Sequence, residues 1–133
     1  MRLGKPLPFH PHAGTVLVGD FSGFKAPELT KKRPVIVISP KLPYRSGLVA
    51  IVPISTTAPI HEVPYVFRLS RNYGWGDADL TTWAKCDIVM NIGLQRLEAF
   101  KIGRRKYHTP RLSAEDLQGV RKAVLAGLGF IKS

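Results

Sequence analysis

The chain has 133 residues, a length that fits one domain able to bury roughly two-thirds of its unfolded surface without disulfide or metal staples. Its 20 Lys and Arg against 9 Asp and Glu give a formal charge of +11, which favours a polyanionic partner: RNA, DNA, an anionic membrane or an acidic protein. No uncharged apolar run approaches the about 18 residues of a membrane span, Met1 to His12 lacks the apolar core of a secretory signal, and a lone Cys86 excludes an internal disulfide or a multi-thiolate metal site and fits a reducing cytoplasm.

Residues 1–13 carry prolines at 6, 8 and 11 and no periodicity, so they read as an irregular arm. From Gly14 the pattern becomes β. TVLVGDF, PVIVIS and LVAIVPI are short, rich in Val and Ile, and bounded by Gly and Pro. Pro34 can open its strand, whereas Pro53 marks an edge, a bulge or a strand end. YVFRL alternates as a fourth strand, and TTWAKCDIVMNI reads as a fifth, interrupted near Lys85 to Asp87. LQRLEAF makes one helical turn, and KIGRRKYHTPR is a basic loop or hairpin tip. Ser113 then caps a helix with Glu115 and Asp116 in its first turn, and Leu117, Val120, Val124, Leu125 and Leu128 fall on one face before Gly127 and Gly129 end it. The expectation is a single domain over 1–133: a mainly β small barrel at 14–112 and a C-terminal helix at 113–130.

The stretch from Glu28 to Thr56 carries the chemistry. Two adjacent strands would bring Arg33, Ser55 and Thr56 to one rim, in a segment with no negative charge between Glu28 and Glu62. RNA supplies its own nucleophile, the 2′-hydroxyl. A nuclease without metal then needs a base for that proton, a donor for the leaving 5′-oxygen, and positive charge where the phosphorane forms. The guanidinium of Arg33 matches two phosphate oxygens and stays charged at any working pH. Ser55 or Thr56 can donate to a non-bridging oxygen. Glu28 is the candidate base, although pairing with Lys31, Lys32 or Arg33 would lower its pKa and weaken it in that role. Lys31, Lys32, Lys41 and Arg45 flank the rim as RNA contacts, and loop aromatics such as Tyr44, Tyr73, Trp75 and Phe24 could stack on unpaired bases.

Each feature has a plainer alternative. Arg33 could be a solvated strand end, and Ser55 and Thr56 could bond their own backbone in a turn. His10 and His12 lie between prolines without further ligands, and Asp77 and Asp79 in GWGDAD read as a turn rather than a magnesium site. His61 and His108 have the right chemistry for acid-base work, but nothing in the sequence brings two histidines together. Arg104, Arg105 and Lys106 form a second basic cluster that reads as a solvated face.

KKRPVIVISP followed by LVAIVPIST resembles the MazF/PemK/Kid (CcdB-fold) toxins of type II toxin–antitoxin modules. Their hallmark is an Arg-Pro opening a strand that ends in Ser-Pro, then a strand ending in Pro-x-Thr or Pro-x-Ser. The match runs from Gly14 to about Ser70 and more weakly to the terminal helix. Asp20 holds the place of the family's strand-ending acid, Glu28 that of its loop acid, and Ser55 that of its usual Thr. The resemblance implies an SH3-like barrel, a cytoplasmic homodimer, and metal-independent, sequence-selective cleavage of single-stranded mRNA without a cofactor. A cognate acidic antitoxin would block it. The alternative is a non-catalytic module of the same fold that binds nucleic acid or protein.

Overall fold

The computed structural model describes residues 7, 9–27 and 29–132. Most of the expected N-terminal arm, and Glu28, lie outside the described residues. Among the described residues, nine strands, a 3₁₀ turn at Leu94–Arg96 and one helix follow in order: β1 Val16–Gly19, β2 Arg33–Val37, β3 Leu48–Ser55, β4 Val66–Arg68, β5 Trp83–Lys85, β6 Met90–Gly93, β7 Leu97–Glu98, β8 Phe100–Gly103, β9 Lys106–His108 and α1 Ala114–Gly127. The fold is mainly β with a C-terminal helix.

The main sheet runs β4-β5-β3-β2-β1-β7, with β6 also on β3, and every pairing in it is antiparallel. Its ends do not pair with each other, so the described sheet is open where a closed barrel was expected. The chain itself bridges the gap: β6 leaves β3, makes the 3₁₀ turn, and continues as β7 on β1. β3 is the long central strand. Residues 48–51 pair with β6 and residues 54–55 with β5, and Pro53 falls between these partners, where a missing N–H interrupts neither register. Pro53 therefore sits inside a strand rather than at its end.

Strict alternation buries both faces of this sheet. Val16, Val18, Ile36, Val52 and Ile54 join Cys86, Val120 and Ala123 in one core beneath α1. Leu17, Val35, Val37, Val49 and Ile51 join Phe21, Ile92 and Leu97 in the other. Period-2 patterning with apolar residues at both parities requires cover on both sides, and α1 and the β6–β7 wrap supply it.

The helix begins as expected, with Ser113 Oγ accepting from the Asp116 amide at 3.1 Å. It ends in a Schellman turn: Gly129 takes φ +81°, its N–H donates to Ala126, and the Phe130 N–H donates to Leu125. The inward face is shifted from the expected one. Asp116, Val120 and Ala123 are buried, whereas Leu125 and Leu128 are exposed. Gly119 lets the ring of Phe67 lie against the helix, because a Cβ there would overlap it.

Cys86 is fully buried, and burial, reinforced by the neighbouring Asp87 carboxylate, pushes its thiol up to about 12. It is a core residue with no thiolate to offer. A disulfide reagent at pH 8 should leave the native protein unmodified and titrate one thiol after denaturation. Rapid modification of the folded chain would contradict this packing.

Candidate functional site

Register builds the site. Val35 faces Pro53 and Ile36 faces Val52 across β2 and β3. Two more places along the same antiparallel register bring Arg33, at the start of β2, opposite Ser55, at the end of β3. On its other side Arg33 faces Gly19 of β1, which brings no side chain to its flank. Arg33 and Ser55 both line a cleft of about 560 Å³. The segment 57–61 with Val63 and Tyr65 forms one wall, and Lys85, Asp87 and Ile88 form another.

Arg33 is half-buried, and its Nε is buried without a hydrogen-bond partner among the described residues. A buried guanidinium N–H normally finds an acceptor. Arg33 itself lines the cleft, where its guanidinium can meet an anion. Ser55 Oγ accepts the Thr57 N–H at 3.0 Å. The turn-hydroxyl alternative is therefore real, but that bond uses a lone pair and leaves the Ser55 O–H to donate. Thr56 is exposed and is not among the residues lining the cleft.

The expected basic contacts divide. Lys31 is exposed just before Arg33, while Lys32 Nζ pairs with Glu98 Oε1 at 3.4 Å. Lys41, Tyr44 and Arg45 do not flank this rim. They border a separate hollow in the 38–47 loop, which closes the β2–β3 hairpin at the end away from Arg33 and Ser55. The length of β2, at about 3.4 Å per residue, separates the two ends. Tyr44 is fully exposed there with φ +62°.

Other candidates have structural roles. Asp20 Oδ1 accepts from Ser22 Oγ at 2.7 Å and from the Ser22 N–H at 2.9 Å, and these bonds hold its carboxyl below the usual range. Asp77 Oδ1 accepts the Asp79 N–H, making the D-x-D a turn. Tyr73 is buried, Phe24 packs edge-on against Phe21, and Trp75 packs edge-on against Phe100. Arg104, Arg105 and Lys106 lie at the exposed β8–β9 hairpin.

Sequence reasoning did not bring His61, Tyr65, Lys85 or Asp87 to the site. Lys85 arrives through the pairing of β3 with β5, which no local sequence pattern signals. His61 arrives with the segment that turns back after Ser55.

A family model described as PemK-like, MazF-like toxin of type II toxin–antitoxin system matches residues 12–128. Among solved structures, MazF from Deinococcus radiodurans superposes with a TM-score of 0.66 at 22% identity, covering 91% of this chain and 98% of that one. A mycobacterial endoribonuclease in complex with its cognate antitoxin gives 0.64 at 19% identity, covering 93% and 100%. The Mycobacterium tuberculosis toxin MazF-mt6 gives 0.55 at 17%, covering 85% and 94%. At these identities the superpositions speak for the fold. No curated protein sequence matches the chain significantly. With the family model spanning both strands of the cleft and the terminal helix, the chain belongs to the PemK-like, MazF-like toxins of type II toxin–antitoxin systems.

Proposed function

We propose that this toxin is a sequence-selective endoribonuclease that cuts single-stranded RNA through attack of the 2′-hydroxyl, without a metal ion. The observation that carries the reading is Arg33: a guanidinium lining an open cleft, its Nε without a hydrogen-bond partner among the described residues, across the register from a serine hydroxyl. Family membership and fold neighbours named as endoribonucleases point the same way.

The guanidinium holds the scissile phosphate and meets the charge that builds on its oxygens, where preorganised donors contribute most. Ser55 donates a further hydrogen bond and fixes the phosphate's orientation. Lys85, which also lines the cleft, adds positive charge, and Lys31 extends it along the approach. Thr56, displaced from the cleft, keeps at most a supporting part, and Glu28 remains a candidate base. Lys41, Tyr44 and Arg45 meet only an RNA long enough to run along the hairpin to its far end.

The partners follow from charge and family. A net +11 attracts an acidic, extended antitoxin segment as readily as it attracts RNA. The toxin acts as a cytoplasmic homodimer whose two chains share the RNA surface.

Purified protein incubated with mixed RNA in EDTA should produce discrete fragments bearing 5′-hydroxyls and 2′,3′-cyclic phosphates or 3′-phosphates. Intact RNA that is nonetheless retained by the protein would favour the non-catalytic binding module instead.

A further inference from the structure

We infer that His61 is a catalytic residue of the cleft, the base that takes the 2′-hydroxyl proton as RNA is cut. The inference rests on the ribonuclease reading above and deepens it.

Among the described residues, Arg33 and Ser55 leave one task undone. A guanidinium stays protonated at any working pH, and a serine hydroxyl is a poor proton acceptor, so neither can remove the nucleophile's proton. His61 lines the same cleft as both. It is carried on the segment that leaves β3 directly after Ser55 and returns at β4, so its position is tied to the catalytic strand by a short connection. The side chain is exposed and reachable by a ribose at the cleft mouth. Among the described residues, the charged and titratable groups lining this space are Arg33 from β2, Lys85 from β5, Asp87 from the turn after β5, and Tyr65 before β4, with Glu62 next to His61 along the segment. Imidazole is the group matched to proton transfer between pH 5 and 8.

The step balances with RNA and water alone. The neutral ring takes the proton from O2′, the O2′–P bond forms, and the P–O5′ bond breaks. The leaving 5′-oxygen takes a proton from water, and the imidazolium returns its proton to the hydroxide so formed. The products are a 2′,3′-cyclic phosphate and a 5′-hydroxyl. Nothing is oxidised or reduced.

The test is single-turnover cleavage in EDTA of an RNA with a mapped cut site, followed from about pH 5 to 8. Wild type, His61→Ala, His61→Ala with added imidazole, and Arg33→Ala are compared. His61→Ala should slow cleavage about a hundred- to ten-thousand-fold. It should also abolish the fall in rate toward acid pH, and imidazole should restore part of the rate. A His61→Ala protein with the wild-type rate and pH profile overturns the assignment and leaves the ribonuclease reading standing, provided Arg33→Ala is still slowed. A wild type that cuts no RNA overturns both.

Discussion

Replacing Arg33 with alanine is expected to slow RNA cleavage about a hundred- to a thousand-fold, equivalent to about 3–4 kcal/mol of lost transition-state stabilisation. The loss should appear in the rate of the chemical step, because the guanidinium meets charge that is greatest on the phosphorane. Stability should barely move. The Arg33 Nε is buried without a partner among the described residues, so truncation orphans no acceptor there and relieves a desolvated charge. Arg33→Lys should recover only part of the activity, since an ammonium keeps the charge and loses the planar fork. Cleavage rates measured beside thermal melts distinguish this from unfolding. A variant that cuts at the wild-type rate would remove Arg33 from the chemistry.

Asp116→Ala should be strongly destabilising although it lies outside the cleft, costing about 2–4 kcal/mol. The carboxylate is 3% exposed, and its Oδ2 accepts from Ser70 Oγ at 2.7 Å, Tyr73 Oη at 2.9 Å and the Ser70 N–H at 3.0 Å. Tyr73 Oη in turn accepts the Ser113 N–H at 3.1 Å, so the first turn of α1 and the segment after β4 are joined through one oxygen. Alanine would leave these donors without their acceptor and remove a negative charge from the positive end of the helix. For a domain of this size the melting temperature should fall by about 10 °C or more. Glu115→Ala, on the exposed side of the same turn, should cost less than about 1 kcal/mol. Equal melting temperatures for the two variants would show that the network contributes little.

These residues mark where local sequence is informative and where it is not. Runs rich in Val and Ile identified β1 to β3, because a strand buried on both faces must be apolar at both parities. Ser113 identified the helix start, because its hydroxyl satisfies an amide that the helix leaves unpaired. Asp116 was legible only as an acid suited to a helix N-terminus. Its burial depends on Ser70 and Tyr73, more than forty residues earlier. Tyr73 looked like a loop aromatic for the same reason: its polar partner is tertiary.

The cleft divides similarly. Arg33 and Ser55 meet because one hairpin joins them, and the same hairpin carries Lys41, Tyr44 and Arg45 to its other end. That separation follows from strand direction, although charge alone groups Arg33 with Lys41 and Arg45. His61 and Lys85 come to the cleft through a return segment and a strand pairing that no local pattern specifies. Pro53 illustrates the opposite error: a residue that breaks most ladders is tolerated inside β3, where the strand changes partners.

The central claim is that the Arg33–Ser55 cleft cuts RNA with the RNA's own 2′-hydroxyl. Its most direct test is single-turnover cleavage, in EDTA, of one RNA oligonucleotide and its counterpart carrying a single 2′-deoxy nucleotide at the mapped cut position. The wild type should cleave the first and leave the second intact at that position while still binding it. Cleavage of the deoxy-substituted strand at the same bond would contradict the claim.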